Sequence, residues 1–360
     1  MFKKAIALLM AATASAKRTP QDLNEELSEY LEGRINHPID LIYEKYLDSE
    51  ISLVEHDESR FELFKEKVKD IIMHNANPEN KYRKGLSKFS SMTFQEVKDY
   101  YNMDAVNAKA EQACSATMAV SFEDVHGGIN IDVPDSWNWQ EHGGVSPVKD
   151  QGNCGSCWTF STVGCLESNH LIKYETLSTY SEQQLVDCAG DFQNFGCNGG
   201  LPSQAFEYIH YNGGIESEDS YPYTAKDGTC VADSSKYVLG VIDGARNVTA
   251  GDEDELKSFV YDKPVSVAFE VVDGFSDYTS GVYTSTTCGN TQADVNHAVL
   301  AVGYGTDDDG TPYWIVKNSW SDTWGDKGFF KIERGVNMCG IAMCNSVPVD
   351  VEELNQVFLQ

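Results

Sequence analysis

Cys157 and His297 could together perform nucleophilic catalysis, because a reactive thiolate needs a base beside it. Cys157 lies in segment 151–158 (QGNCGSCW), which opens a predicted helix over residues 155–174. A cysteine at a helix N-terminus faces free N–H groups and the positive end of the helix dipole, so we expect its thiol pKa to be lowered. A Cys-x-x-Cys redox pair or zinc site is the alternative, but the sequence offers neither a βαβ context nor a second ligand pair.

His297 and Asn318 could serve as the base for that thiol and as the group that orients the base. His297 begins an apolar run that predicts a strand, and Asn318 follows the next such run. A single histidine on a strand is more often structural, so the spacing decides the interpretation. His297 stands 140 residues after Cys157, and Asn318 stands 161 residues after it. These separations are close to the roughly 130–150 residues typical of papain-like peptidases.

Two groups of elements must bring these residues together. The predicted helices span 155–174, 181–188 and 202–210. The predicted strands are apolar runs bounded by glycine, and they span 265–271, 297–303, 313–316 and 328–332. A helical half followed by a strand-rich half predicts two lobes with a cleft between them, which is a natural place for an active site.

From about Val133 to Pro348 the sequence resembles the papain family of cysteine peptidases. The resemblance is carried by segment 151–158 together with 196–200 (GCNGG), 296–297 (NH) and 318–320 (NSW). It implies an α+β fold with a helical left lobe and a β-barrel-like right lobe, preceded by a mainly helical propeptide. It also implies peptide-bond hydrolysis without a metal or an organic cofactor.

The resemblance assigns a chemical role to each of four matched residues. Cys157 would attack the scissile carbonyl, His297 would carry the proton, and Asn318 would hold the imidazole. The Gln151 side chain and the Cys157 backbone N–H would form the oxyanion hole. Because all four positions are filled, a non-catalytic binding or inhibitory module is the disfavoured alternative.

Three further matched residues would shape the cleft. By the resemblance, Trp320 would shield the contact between the imidazole and Asn318 from water. Gly199 and Gly200 would line the cleft where the substrate backbone approaches closely, which glycine permits.

The ten cysteines are expected to be mostly disulfide-bonded on a secretory route. Cys157 must stay free to react, and Cys165 then has no assigned partner. The bridges that the resemblance implies are Cys154–Cys197, Cys188–Cys230, Cys288–Cys339 and Cys114–Cys344. A Cys165–Cys344 bridge is the alternative to the last of these.

The N-terminal part of the chain predicts a precursor. Residues 1–16 have the features of a signal peptide, namely two lysines, the apolar stretch 5–12 and small residues before the cut. A short core helix is the alternative. Residues 17–130 are charged and helix-rich and are interpreted as a propeptide, and the peptidase domain spans 131–360.

An inhibitory region over about 40–100 resembles the helical segment with which family propeptides cover the cleft. One helical face carries the residues of this motif, namely Arg60, Phe64, Lys67, Ile71 and Asn75. Lys67 replaces an asparagine of the motif. The following segment 85–91 (GLSKFSS) lacks the Asn and Asp of a second motif, so the Asp on which a pH trigger in the family depends is missing. A solvated amphipathic helix without an inhibitory role is the alternative.

Residues 111–117 (EQACSAT) resemble the mini-chain of the cathepsin H and aleurain branch of the family. Segments 199–208 and 337–344 share this resemblance. A mini-chain tied by Cys114–Cys344 would fill the non-primed end of the cleft, and the carboxylate of Thr117 would face the substrate α-ammonium. This predicts an aminopeptidase with limited endopeptidase activity. A cathepsin L-like endopeptidase without that restriction is the alternative.

Composition limits the classes of binding partner and the cellular locations to be expected. The net charge of −29 at pH 7 disfavours nucleic acid, and no apolar run reaches the roughly 18 residues of a membrane span. We expect peptide and protein substrates, the protein's own propeptide as an intramolecular inhibitor, and a monomer. The expected location is the secretory pathway, ending in a lysosome-like or vacuole-like acidic compartment or outside the cell. Asn247, in the sequence Asn-Val-Thr, is predicted to be glycosylated on a surface loop.

Overall fold

The computed structural model describes residues 19–31, 39–49, 53, 57–103, 132–241 and 243–354. The predicted signal peptide and the mini-chain, with Cys114 and Thr117, lie outside the described residues. Within the described ranges, no helix is long and apolar enough to cross a membrane.

The described residues contain eight α-helices. Four lie in the predicted propeptide region: α1 (Pro20–Leu31), α2 (Ile39–Leu47), α3 (Glu58–Ala76) and α4 (Phe94–Tyr100). Four belong to the downstream domain: α5 (Cys157–Tyr174), α6 (Glu182–Cys188), α7 (Pro202–Asn212) and α8 (Glu253–Asp262). Short 3₁₀ helices span Ala189–Phe192, Ser234–Lys236, Phe275–Asp277 and Met338–Gly340.

The strands in the same ranges form two sheets. Their bounds are β1 (Tyr82–Lys84), β2 (Trp137–Asn138), β3 (Ile215–Glu216), β4 (Tyr237–Val241), β5 (Ala245–Asn247), β6 (Val265–Phe269), β7 (Tyr278–Tyr283), β8 (His297–Thr306), β9 (Pro312–Lys317), β10 (Phe329–Glu333), β11 (Ser346–Pro348) and β12 (Val351–Glu353). The smaller sheet has the order β12-β4-β3.

The larger sheet forms one lobe and has the order β1-β7-β10-β9-β8-β6-β11-β5, with β2 joined to β8. The pair β7 and β10 is parallel, whereas β8 runs antiparallel to both β6 and β9. The path of this sheet is open over the described strands. The predicted α+β fold with two lobes is confirmed, but its strand-rich lobe does not close into a barrel.

Strand β8 joins the two lobes because its side chains alternate between them. Ala298, Leu300 and Val302 belong to the core around α5, while Val299 and Ala301 belong to the core of the sheet lobe. Every residue of α5 from Cys157 to His170 is buried. The helical lobe therefore packs its central helix directly against the strand that begins with the candidate base.

The propeptide region has a small hydrophobic core of its own. Its buried members are Leu23, Leu27, Ile42, Tyr43, Tyr46, Phe64, Val68, Ile71 and Leu86. The predicted face of α3 supplies two of these side chains. Asn75, on the same face, bonds both backbone polar groups of Lys84 in β1, at 2.8 and 2.9 Å. Strand β1 in turn pairs with β7, so the propeptide adds a strand to the larger sheet.

Arg60, at the start of the same face, ties α3 to α4. Its guanidinium donates to both carboxylate oxygens of Glu96 at 2.7 Å and to the Ser91 carbonyl at 3.1 Å. This two-pronged bond lowers the pKa of the Glu96 carboxyl to about 2. A solvated helix would make no such contacts, so the structure disfavours that alternative.

Asn247 does not lie on a surface loop, so the predicted setting of the glycosylation site is wrong. It belongs to β5, opposite Ser346 of β11, and is only 3% exposed. A glycan on this buried amide would require the β5–β11 pair to open. The sequon was readable from three residues, whereas the burial depends on pairing with a strand almost 100 residues away.

Candidate active site

Cys157 occupies the first position of α5, which begins two residues later than predicted. Ser156 before it is the N-cap residue, with φ −98° and ψ 15°. The Cys157 Sγ accepts the N–H of Ala298 at 3.5 Å. Since Ala298 directly follows His297, this contact brings the helix terminus and the start of β8 together, as the sequence predicted.

The imidazole of His297 is held by the Asn318 side chain. His297 Nε2 lies 2.8 Å from Asn318 Oδ1, and the Ser319 N–H donates to the same oxygen at 2.8 Å. An N–H can donate only to the amide oxygen, which fixes the amide orientation and requires that Nε2 carry the imidazole proton. The lone pair is then on Nδ1, which has no hydrogen-bond partner among the described residues. The ring is thus prepared to accept a proton.

Trp320 covers this contact. Its ring centroid lies 5.0 Å from that of His297, with 31° between the planes, and the side chain is fully buried. The position agrees with the predicted exclusion of water from the bond between the imidazole and Asn318.

Burial governs the protonation of both reacting groups in this precursor. It raises the pKa of the Cys157 thiol to about 11, although the N–H groups of Ala298, Trp158 and Cys157 itself oppose the rise. Burial also lowers the pKa of His297 to about 4, opposed by the bond to Asn318. The expected lowering of the thiol pKa is therefore wrong for the precursor. The helix terminus acts in the expected direction, but desolvation of the covered cleft outweighs it.

Gln151 is buried beside the thiol and is held at both ends of its side chain. Its Oε1 accepts the Ser319 hydroxyl at 2.6 Å, and its Nε2 donates to the Cys154 carbonyl at 3.0 Å. The second N–H of Nε2 remains available for a ligand. Sequence reasoning missed Ser319, although its place between Asn318 and Trp320 is a signal.

The two positions proposed to line the cleft are glycine for different structural reasons. Gly199 has φ +95°, a conformation that side chains disfavour. A Cβ on Gly200 would lie 2.5 Å from Asn194 Oδ1 and 2.7 Å from the Trp158 ring. Gly200 is therefore required for packing against the helical lobe, a need that the sequence did not reveal.

Propeptide residues after β1 cover the site. Tyr101 stacks on Trp320 with centroids 4.9 Å apart and 7° between the planes. The Asn102 side chain donates to the Cys197 carbonyl and to Asn198 Oδ1, both at 2.9 Å. No sequence signal singled out Tyr101 or Asn102. Together they tie the propeptide to Trp320 and to residues 197–198, and Cys157 is only 6% exposed.

Among the ion pairs between the propeptide and the downstream domain, two involve a buried side chain. Lys67 Nζ lies 2.8 Å from Asp277 Oδ2, and Asp277 has no exposed side-chain surface. Lys88 Nζ lies 2.8 Å from Asp150 Oδ2, next to Gln151. The substitution of lysine for the motif asparagine at position 67 thus introduces a buried charge across the interface.

Three of the expected disulfides are present, and they are Cys154–Cys197, Cys188–Cys230 and Cys288–Cys339. Cys344 is also disulfide-bonded. Cys165 is free, and its thiol donates to the Pro264 carbonyl at 3.2 Å. The alternative Cys165–Cys344 bridge is therefore wrong. The bridge to Cys114 stays a prediction, since that residue is outside the described ranges.

Comparisons with known families match two regions of the chain. Residues 133–349 match the papain family of cysteine proteases. Residues 52–97 match the cathepsin propeptide inhibitor domain I29. The second match begins in the propeptide region and ends within α4.

Individual relatives agree with these matches. The chain is 53% identical to a thiol protease aleurain-like of Arabidopsis thaliana, over 82% of this chain and 79% of the relative. It is 49% identical to pro-cathepsin H of Bos taurus, over 81% of this chain and 83% of the relative. Among solved structures, the proform of the ragweed pollen allergen Amb a 11 cysteine protease superposes with a TM-score of 0.76 at 35% identity, covering 90% of this chain and 97% of that one. Procathepsin L 3 of Tenebrio molitor larval midgut gives 0.71 at 35% identity, with coverage of 91% and 99%.

Proposed function

This chain belongs to the papain family of cysteine proteases and is made as a proform, and on that premise we propose that Cys157, His297, Asn318 and Gln151 form its catalytic set. The observation that carries the assignment is the orientation of the imidazole. Asn318 fixes the proton on Nε2 and leaves Nδ1 as the free base, and the thiol lies at the helix terminus against the next residue of the same strand.

The reaction follows from these positions in two halves. The Cys157 sulfur attacks the carbonyl carbon of the scissile peptide bond while His297 takes the thiol proton. Gln151 Nε2 and the Cys157 N–H stabilise the negative oxygen. The C–N bond breaks, His297 returns its proton to the leaving amine, and a thioester remains. Water then attacks the thioester, and His297 accepts a proton from that water. The C–S bond breaks, which releases the carboxylic acid product and regenerates the Cys157 thiolate.

Aminopeptidase action is the finer part of the proposal. It is supported by the resemblance of residues 111–117 to a mini-chain, by the disulfide-bonded state of Cys344, and by about 50% identity to proteins named aleurain and pro-cathepsin H. A Thr117 carboxylate held by the Cys114–Cys344 bridge would attract the substrate's α-ammonium and block longer substrates.

The processed protein should hydrolyse an amino-acid amide with a free α-amine at least about tenfold faster than its N-acylated dipeptide counterpart, since a lost charge-assisted contact is worth about 1.5–3 kcal/mol. The measurement is the ratio of the two kcat/KM values after activation at mildly acidic pH. A Cys114→Ser variant should lose the preference and gain endopeptidase action, and Cys157→Ser should abolish both reactions.

The matched control for Cys114→Ser is Cys165→Ser, because Cys165 is free and buried away from the site. It should keep the ratio of the unmodified enzyme. A preference for the N-acylated substrate would leave an endopeptidase and remove the mini-chain's proposed role. Hydrolysis that survives in Cys157→Ser would contradict the catalytic assignment itself.

The propeptide should respond to acid through His74, which lies in the last turn of α3. Its Nε2 bonds the Tyr82 carbonyl at 3.1 Å, and its Nδ1 accepts from Asn80 at 3.1 Å. The pKa of His74 is lowered, first by burial and then by the nearby charge of Lys84, with a smaller effect of Arg83. The Tyr82 carbonyl and Asp70 oppose this lowering. Protonation of Nδ1 also breaks the bond from Asn80. The docked propeptide therefore binds this proton less readily than an unfolded one, so stability present above about pH 6.5 is lost as the pH falls towards the lowered pKa.

The variant His74→Gln should consequently require a lower pH for release of the propeptide, by about 0.5 unit or more. Processing of the full-length precursor, followed on gels across the mildly acidic range, measures this shift. The control is His142→Gln, which alters an exposed histidine of the downstream domain. Equal pH midpoints for the two variants would remove His74 from the response.

A secretory location with an acidic end point is the compartment we propose. Its support is the set of three disulfides, which form and persist in oxidising compartments, together with the acid response expected of His74.

A further inference from the structure

Tyr223 lies behind the loop that carries the proposed oxyanion hole and is not part of the catalytic set. Its hydroxyl donates to the Gln151 carbonyl at 2.7 Å and lies 2.5 Å from the Ser156 Oγ. A tyrosine has a single hydroxyl proton, and the Gln151 carbonyl can only accept it. The Ser156 hydroxyl must therefore donate to Tyr223. The result is a short chain of hydrogen bonds from Ser156 through Tyr223 to Gln151.

The donors and acceptors in this chain of hydrogen bonds do not exchange roles, because the Tyr223 hydroxyl keeps its proton. Burial raises the pKa of Tyr223 well above its ordinary value, and the bond from Ser156 opposes the rise only in part. The hydroxyl therefore stays protonated wherever the protease is folded. The ring packs edge-on against Phe160 of α5, with centroids 4.9 Å apart and 87° between the planes. The Tyr223 N–H donates to Glu218 at 2.8 Å, so both the ring and the backbone are fixed.

The loop between the two donors needs such support from outside. One donor of the proposed oxyanion hole is the side chain of Gln151, and the other is the N–H of Cys157 at the far end of segment 151–157. Between them lie Gly152, with φ +59°, and Gly155, whose N–H donates to the Cys197 carbonyl at 3.0 Å. The Tyr223 hydroxyl bridges Gln151 to Ser156, the residue before Cys157. It therefore joins the two ends of the loop directly, whereas the Cys154–Cys197 disulfide fastens its middle.

We propose that Tyr223 is a positioning residue that holds Gln151 and the N-terminus of α5 at the separation needed to bind the oxyanion. This proposal rests on the proposed function, in which Gln151 and Cys157 supply the two donors. Tyr223 itself touches no reacting atom. Its contribution arises because an oxyanion hole stabilises charge only when its donors are fixed before the charge develops.

The test is Tyr223→Phe in the processed enzyme, which removes one hydroxyl and keeps the ring against Phe160. We expect kcat to fall about 10- to 100-fold with KM changed less than about threefold, a smaller loss than the roughly 10²–10³ of deleting a donor outright. Binding of a peptide aldehyde, whose adduct with the Cys157 thiol places an oxyanion-like oxygen in the hole, should weaken in parallel. Alkylation of Cys157 by iodoacetamide needs no oxyanion hole and should keep its rate.

Tyr221→Phe is the matched control, because the Tyr221 hydroxyl bonds Asp187 at 2.8 Å and does not contact the loop. It should leave kcat and aldehyde binding unchanged. Ser156→Ala removes the other bond of the chain without altering Tyr223 and should lower kcat in the same direction, which guards against a folding defect of the tyrosine variant.

Three outcomes would overturn the proposal: an unchanged kcat in Tyr223→Phe, a loss confined to KM, or equal losses in hydrolysis and alkylation. These outcomes are distinguishable from failure of the proposed function. If the proposed function were wrong, Gln151→Ala and Cys157→Ser would themselves retain hydrolysis in the same assay. If the proposal holds, Gln151→Ala combined with Tyr223→Phe should lose less than the product of the two single effects.

Discussion

Cys157 in the intact precursor should react with iodoacetamide at least about 100-fold more slowly than in the processed enzyme. With a thiol pKa of about 11, only about one molecule in 10⁴ carries the thiolate at pH 7. His297, with a pKa of about 4, is neutral there and offers no cation to the sulfur. We expect loss of the propeptide to admit water to the cleft, and the helix terminus then favours the thiolate.

The measurement is the pH dependence of alkylation for precursor and processed enzyme, followed by mass spectrometry. Cys165 provides the internal reference, because it is fully buried and burial raises its pKa to about 12. In Cys157→Ser, Cys165 is the one free thiol within the described ranges, and it should stay unlabelled in both forms. Equal labelling rates for Cys157 in precursor and processed enzyme would contradict the prediction.

The second large effect is expected from Lys67→Met, which leaves Asp277 as an unpaired buried carboxylate. Breaking such a pair from one side costs about 3–5 kcal/mol. Since Lys67 belongs to the propeptide and Asp277 to the protease domain, the cost falls on the contact between them. The precursor variant should therefore open more often, and Cys157 should be alkylated at least about 100-fold faster than in the unmodified precursor.

Lys65→Met is the control on the same helix. Its partner Glu62 is 59% exposed, and an exposed pair is worth at most about 1 kcal/mol. Lys67→Met combined with Asp277→Leu should restore slow alkylation, because an apolar pair of similar volume replaces the charges without leaving one unpaired. An alkylation rate in Lys67→Met equal to that in Lys65→Met would show that the pair does not hold the propeptide.

This ion pair is not the origin of the acid response. Burial raises the pKa of Asp277, and Lys67 lowers it only in part. Although burial acts against the Lys67 charge, the pKa of Lys67 is raised, because Asp277 together with Asp273 and Asp70 outweighs that effect. A carboxyl whose pKa is raised in the docked state takes up its proton there more readily than an ordinary carboxyl. Acid therefore does not separate the pair through Asp277, whereas the lowered pKa of His74 has the required sign.

Local patterns predicted the elements that carry the proposed catalytic residues. The apolar run from His297 and the run before Asn318 did become neighbouring strands, and segment 151–158 did open the central helix. Each of these predictions depends on residues close together in the chain or on one family motif. The contact between His297 and Asn318 follows once β8 and β9 pair, because strand order and register then fix both side chains.

Properties that depend on contacts between distant parts of the chain could not be predicted from local sequence. The raised thiol pKa results from burial of the cysteine in the folded precursor, which the residues around Cys157 in the sequence do not reveal. The burial of Asn247 results from its pairing with Ser346. Tyr223 acts through a bond to a carbonyl 72 residues earlier in the chain. In each case the local sequence was compatible with several environments, and tertiary packing selected one of them.

The strand β1 that the propeptide adds to the larger sheet also has a consequence for the mature enzyme. Loss of the propeptide leaves β7 as an edge strand, with backbone groups that Tyr82, Arg83 and Lys84 had paired. A free edge is a template for pairing with other chains. Here the edge is a poor template, because Gly281 has φ +82° and the register is interrupted between Arg83 and Lys84. Maturation thus opens the cleft and exposes a second surface whose irregular backbone limits association between copies of the enzyme.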